Sequence, residues 1–231
     1  MAQDYRELAT TLRGRIDAGE FRQTGKLPTE DQLIEEYQTT RYRVRNAIAV
    51  LAEAGDVFPV RGSGVFVRED REGDYLSIGT TRGISAEYPH RKVTSVVQEL
   101  SLLQADSVLH CAEGDQVWRV VRLRQVDGNP LAYETAWYLK EFVPFINEQI
   151  AEGSLFGYAR NDLGLNFGFV DKVLYAGKLE ADAARVLGLN EGDPALYLED
   201  DSFLTNGRLF NSSFIAYHYV NARFFTMTSM R

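Results

Sequence analysis

Thiols are almost missing from this chain: Cys111 is the one cysteine in 231 residues. A single cysteine excludes an intrachain disulfide and a cysteine-rich metal site, and leaves a buried, inert thiol as the reading. Histidine is nearly as scarce. His90, His110 and His218 stand apart, with no second ligand one helical turn away, so neither a metal nor a cofactor is expected. Long apolar runs are lacking too: none approaches the roughly 18 residues of a membrane span. The N-terminal "MAQDYRELAT" has neither the basic flank nor the apolar core of a signal peptide. The expectation is a cytoplasmic chain with no membrane partner.

Positive charge is in deficit, with 25 Lys+Arg against 33 Asp+Glu and a formal net charge of −8. The deficit is uneven. Residues 1–68 hold 10 charges of each sign, which leaves 15 basic against 23 acidic for residues 69–231 and places the whole −8 there. Between residues 38 and 68, Arg41, Arg43, Arg45, Arg61 and Arg68 meet only Glu53 and Asp56, a basic patch inside an acidic chain. With 45% hydrophobic residues the chain can bury one large core or two modest ones. The charge division favours an α/β two-domain reading: a first domain at 1–68, a linker over 69–75 within the charged stretch "REDREGDY" at 68–75, and a second domain at 76–231.

In the first domain, Tyr5, Leu8, Ala9, Leu12 and Ile16 fall at helical spacing and Gly19 follows as a stop. Thr29 and Gln32 have capping-box spacing at the head of a short second helix. Thr40 can cap a third, whose stripe Val44, Ile48 and Leu51 runs up to Gly55. At roughly 100° per residue, the side opposite that stripe centres between Tyr42 and Asn46, flanked by Arg43 and Arg45, with Arg41 in the first turn. Short helices joined by a tight turn, with fork-shaped donors on the outer face of the second, suit the major groove of double-stranded DNA. A solvated helix face remains the plainer alternative. "DVFPVRGSGVFVRE" then alternates apolar residues about a glycine turn, a hairpin with Arg61 at its tip beside Gly62 and Gly64. A basic wing beside a basic helix gives both clusters one shared partner.

"KLPTEDQLIEEYQTTRYRVRNAIAVLAEAGDVFPVRGSGVFV", residues 26–67, resembles the winged helix-turn-helix domain of GntR-family bacterial regulators, with their LPSE, SRxTVRxAL and GxGTFV motifs. The resemblance implies DNA-reading roles for Arg41, Arg45, Arg61 and Gly62. Thr29, Thr40, Tyr42, Arg43, Asn46 and Gly64 complete the candidate DNA-binding set. In two places the chain departs from the family pattern: Asp31 stands where an arginine is common, and Arg43 where a threonine is usual.

The remaining sequence repeats itself. "SVLHCAEGD" at 107–115 returns 78 residues on as "RVLGLNEGD" at 185–193, and each copy leads into a strand, a glycine turn and another strand. This predicts a pseudo-symmetric α+β domain with helices covering one face of an antiparallel sheet, and a cleft between halves as a ligand site. Arg122 and Arg124, two apart on a strand, share a face, and a turn at Gly128 brings Glu134 beside Arg122. Two arginines suit a phosphate and a carboxylate suits sugar hydroxyls; a surface cross-strand ion pair is the alternative.

"VVRLRQVDGNPLAYETAWY", "GSLFGYARNDLGL" and "GRLFNSSFIAY" make residues 76–228 similar to the UTRA effector domain, the chorismate-lyase-like fold of the HutC branch of GntR regulators. In amino-sugar-phosphate sensors of that branch, the matches to Arg122, Arg124 and Ser154 hold the phosphate and the match to Glu134 holds the sugar. Phe156 replaces a tyrosine of that pattern, Asn211 replaces a glutamate, and Tyr217 completes the effector set. "TTRGISAEYPHRKVTSVV" and "INEQIAEGSLFGYARNDLGL" look more like trehalose-operon repressors, an analogy by which Thr80 and Arg82 close over the pocket. The function implied is a homodimeric repressor of a sugar operon, binding palindromic half-sites and answering to a small phosphorylated sugar, with no catalytic residues. A chorismate-lyase-like enzyme is the competing class.

Overall fold

The computed structural model describes residues 4–68, 75–78, 84, 88, 91–105 and 113–226. It forms two compact units, residues 1–80 together with 224–231, and residues 81–223. The first unit thus reaches past the boundary expected at 68 and takes back the C-terminal end of the chain, which the sequence reading assigned to the second domain.

In the first unit, α1 (Tyr5–Asp17), α2 (Glu30–Glu36) and α3 (Arg41–Glu53) surround a core of Leu8, Leu12, Leu33, Val44, Ala47, Ile48, Leu51 and Val57. The starts are set by side chains. Asp4 and Glu7 form a capping box on α1, Thr29 and Gln32 form the expected one on α2, and the Thr40 hydroxyl accepts the Arg43 N–H at the head of α3. The turn between α2 and α3 takes its left-handed step at Gln38, φ 47°. The wing is the antiparallel hairpin β1 (Val57–Val60) and β2 (Gly64–Val67), paired from Val57 with Val67 to Val60 with Gly64. A short parallel pair, β3 (Leu76–Ser77) with β10 (Phe224–Phe225), belongs to the same unit. The Arg68 guanidinium lies 4.2 Å from the centre of the Phe225 ring, and a Cβ on Gly55 would meet that ring at 2.7 Å. With φ +77°, Gly55 is a position where only glycine satisfies both the turn and the contact.

The second unit is built on a six-stranded antiparallel sheet of β4 (Val93–Gln104), β5 (Gln116–Val126), β6 (Asn129–Leu139), β7 (Phe167–Lys178), β8 (Pro194–Leu204) and β9 (Leu209–His218). Its order, β4-β5-β6-β9-β8-β7, is two three-stranded meanders joined at β6 and β9; the two hairpins that the sequence repeat predicts are β5 with β6 and β8 with β9, and β4 and β7 add the outer strands. The turns repeat in detail. Ala105 N–H donates to the Asp115 carbonyl at 2.7 Å and Gly114 N–H to the Ala105 carbonyl at 3.1 Å. Leu179 N–H donates likewise to Asp193 and Gly192 N–H to Leu179, both at 2.9 Å. The first copy of the repeat falls largely outside the described residues.

Helices occupy both faces of this sheet, whereas the sequence predicted one. α4 (Glu148–Glu152) and α5 (Leu155–Asn161) bury Ala151, Leu155 and Ala159 against Val120, Ala136 and Tyr138. α6 (Ala181–Leu187) buries Ala183, Ala184 and Leu187 with Tyr197 and Ala216, which alternate to the opposite face.

Candidate functional site

On the first unit the exposed ridge of α3 is Arg41, Tyr42, Arg45 and Ala49, with Tyr42 73% exposed. Arg43 and Asn46 are partly buried, so the outward face is turned away from the Arg43 side that helical spacing placed on its flank. The Asn46 amide is spent on the Tyr42 carbonyl at 2.9 Å. Two of the arginines are held by α2. Arg41 meets Asp31 at 2.5 Å, and the Arg45 Nε donates to both oxygens of Glu30 at 3.0 and 3.1 Å. Neither Arg43 nor Arg61 has an ion pair among the described residues. Exposed pairs of this kind are worth about 0–1 kcal/mol, so Glu30 and Asp31 orient the guanidinium groups and give them up readily to a stronger acceptor. Thr29 is committed to Gln32, while the Thr40 hydroxyl still has its proton to donate after accepting from Arg43. At the wing, Arg61 is exposed between Val60 and Gly62, and Gly62 and Gly64 carry the positive φ values that make the turn. Lys26, outside the basic patch counted in the sequence, joins it by donating to the Ser63 carbonyl at 3.1 Å.

The second site lies on the α4–α5 face of the sheet. Arg122 pairs with Glu134 across the strands as the spacing predicts, but the pair is not on the surface: Arg122 is 3%, Arg124 7% and Glu134 9% exposed. Arg122 is fully engaged, meeting Glu134 at 2.8 Å and donating to the carbonyls of Ala151 at 2.8 Å and Gly153 at 3.4 Å. Arg124 is not. Its nearest approach to Glu134 is 3.9 Å, and its Nε is buried with no hydrogen-bond partner. Burial would push the Glu134 carboxyl up, yet Arg122 and Arg124 hold it below its usual range. Burial pulls Arg124 down, partly opposed by Glu134. Two guanidiniums and one carboxylate leave a net positive charge in a water-poor place, which an anion would balance.

The register places other side chains on this face: Tyr217 in the Arg124 row through Ala132, and Asn211 opposite Tyr138. Both are buried. Ser154 caps α5, its Oγ accepting the Gly157 N–H at 3.0 Å, in the segment whose Gly153 carbonyl binds Arg122. Phe156 packs its ring against Phe167 and Phe210, at 5.1 and 5.5 Å between centres. Thr80 and Arg82 lie outside the described residues. Among the described residues no group of three or more His, Cys, Asp or Glu is placed to hold a metal ion, and no helix is long and apolar enough to cross a membrane.

The sequence reading missed Tyr138, Asp200 and Ser213 on the same face. Ser213 stands opposite both Ala136 and Asp200, and Lys172 opposite Asp200 on the next strand. Burial, reinforced by Glu134, raises the Asp200 carboxyl from 3.8 to about 6, with Lys172 and a hydrogen bond from Ser213 opposing. The fold therefore favours the protonated form. That contribution to stability is full below about pH 4 and is lost as pH rises through about 6. Asp200→Asn is expected to match the parent chain in thermal unfolding near pH 4 and to exceed it at pH 7 by about 1–2 kcal/mol. Comparing the two proteins at each pH cancels the other carboxylates.

Comparison with known proteins agrees with both halves. Residues 4–67 match the bacterial regulatory proteins of the gntR family and residues 90–221 match the UTRA domain. The HTH-type transcriptional regulator YydK of Bacillus subtilis (strain 168) is 34% identical over 224 residues, 95% of each chain. Its crystal structure superposes with a TM-score of 0.83 at 32% identity, over 97% of this chain and all of that one. The HTH-type transcriptional regulator TreR of the same organism is 24% identical, covering 89% of this chain and 87% of TreR. The mannosyl-D-glycerate transport/metabolism system repressor MngR of Escherichia coli (strain K12) is 25% identical, covering 95% and 93%. A winged helix and an antiparallel sheet are thus the two parts of one known architecture, and the chain belongs to the gntR family of bacterial transcriptional regulators, in the HutC-type branch that carries a UTRA domain.

Proposed function

We propose that this regulator is a repressor of a sugar uptake or catabolism operon, binding its operator as a homodimer and responding to a small phosphorylated sugar in the UTRA domain. The observation that carries the reading is the buried trio of Arg122, Arg124 and Glu134, with one positive charge in excess and the Arg124 Nε unbonded. Arg124 meets the phosphate, Ser154 lies on the segment that Arg122 anchors, and Glu134, Asn211 and Tyr217 face the sugar. Among relatives, MngR is named as a repressor of a mannosyl-D-glycerate system, which supports a sugar derivative as effector. The site binds without turnover. Coupling to DNA is a difference in effector affinity between free and operator-bound dimers. The chain passes between the two units twice, near residue 80 and again near residue 223. Screening sugar phosphates by thermal shift tests the reading, since a true effector at 100 times its Kd adds about 2.7 kcal/mol.

On the DNA side, Arg41, Arg45 and Arg43 read bases, with Tyr42 and Asn46 beside them. Thr29 and Thr40 lie along the phosphates, and Arg61, Gly62 and Gly64 form the wing contact. Arg43→Thr restores the residue usual for the family. It is expected to change base preference at one half-site position and to cost about 1–3 kcal/mol on the cognate operator. Binding to a randomised operator library checks this. Unchanged affinity and preference would return Arg43 to a structural role, in keeping with its partial burial.

A further inference from the structure

Three buried polar atoms on the α4–α5 face and its continuation across the sheet lack a hydrogen-bond partner: the Nε of Arg124, the Oδ1 of Asp200 and the Oδ1 of Asn211. The first is a donor and the other two are acceptors. The register puts all three on one face. Arg122 pairs with Glu134, two residues along the strands Ala136 pairs with Ser213 and Ser213 with Asp200, and two further on Tyr138 pairs with Asn211. Ala132 and Ala136 flank Glu134 along its strand on that face, and Ile215 stands opposite Glu134 on the next strand. The Asn211 amide nitrogen is spent on the Ser213 Oγ at 2.7 Å, which leaves its oxygen as the free group. The fields of Arg124 and of Asp200 both reach the buried hydroxyls of Tyr138 and Tyr217, so donor and acceptors border one polar region.

We propose that Asp200 and Asn211 form an acceptor subsite that binds two neighbouring hydroxyl groups of the effector, at the end away from Arg124. A ligand with acceptors at one end and paired donors at the other satisfies all three unpartnered atoms at once. Hydroxyl groups fit better than an ammonium, because Lys172 stands opposite Asp200 and repels a second cation. Glu134 and Asp201 are the other charged groups that act on Asp200, with Ser213 as its hydrogen-bond donor. A carboxylate whose neutral form the fold prefers weakens the free protein at neutral pH, and such a cost is understandable where the group serves a ligand. The subsite rests on the effector reading above.

The test is calorimetric titration of the full chain, as parent, Asp200→Asn and Arg124→Ala, with inorganic phosphate, glucose 6-phosphate, mannose 6-phosphate, fructose 6-phosphate, trehalose 6-phosphate and glucosamine 6-phosphate. The parent is expected to bind at least one neutral-sugar phosphate more tightly than phosphate alone. Asp200→Asn should weaken that sugar phosphate about tenfold or more, leave phosphate binding unchanged, and melt higher than the parent at pH 7. Arg124→Ala should lose both ligands. Equal binding by Asp200→Asn and the parent overturns the subsite and leaves the effector reading standing. No sugar phosphate binding the parent overturns both. Glucosamine 6-phosphate binding tightest and losing most in Asp200→Asn would make an ammonium the group at Asp200 and overturn the paired hydroxyls, and a lowered melting temperature makes Asp200 a residue of the fold.

Discussion

Glu134→Ala is expected to destabilise the UTRA domain by about 3–5 kcal/mol, because it strands two buried guanidiniums without their common counter-charge. Arg122 loses its 2.8 Å partner and Arg124 the one carboxylate within 4 Å of it among the described residues, while both remain buried. The loss should appear in chemical or thermal unfolding at neutral pH. Arg122→Ala should be nearly as damaging, since it also frees the carbonyls of Ala151 and Gly153. Arg124→Ala removes a guanidinium whose Nε is unpartnered and whose approach to Glu134 is 3.9 Å, so it should cost far less stability. That contrast separates a frame residue from a ligand residue within one cluster, and makes Arg124 the substitution that probes binding. Equal losses for the two arginines would mean that Arg124 too is part of the frame.

The second large effect is expected at the operator. Arg45→Ala should weaken specific binding by about 3 kcal/mol, the upper end of the 1–3 kcal/mol of one base contact, because it also releases Glu30. In the intact protein Glu30 is neutralised by both its bonds to Arg45. Without them the Glu30 carboxylate at the start of α2 keeps the more distant Arg41 guanidinium at 3.9 Å and would repel the phosphates of a bound operator. Adding Glu30→Ala should therefore recover part of the loss, a non-additivity that fluorescence anisotropy on a selected operator measures directly. Strict additivity would mean that the pair has no part in presenting Arg45.

How far the sequence could be read follows from how local each signal is. α1, α2 and α3 were legible because stripe, cap and stop lie within one turn of each other, as with Thr29 and Gln32. The Arg122 and Glu134 pairing was legible for a similar reason, a period of two on either side of a glycine turn. Its burial was not, because α4 and α5 arrive from further along the chain. The β3 and β10 pair joins two-residue strands almost 150 positions apart, with no local pattern to announce it. Asp200 was invisible because its face is defined only through β9, and Ser213 becomes its neighbour only when the two meanders meet. The arginines of α3 were counted correctly but misplaced in one case. A helical wheel knows the stripe of α3 but not that α2 supplies Glu30 and Asp31, which fix Arg45 and Arg41 at the surface while Arg43 is partly buried.

Operator affinity measured with and without effector tests the central claim most directly. With an operator selected from a randomised library and the sugar phosphates named above, at least one is expected to change the affinity of the parent chain by about tenfold or more. Arg124→Ala should bind the same operator equally well and show no change. If no sugar phosphate alters operator affinity, or if Arg124→Ala responds as the parent does, the buried arginine cluster is not the site through which this regulator senses its effector.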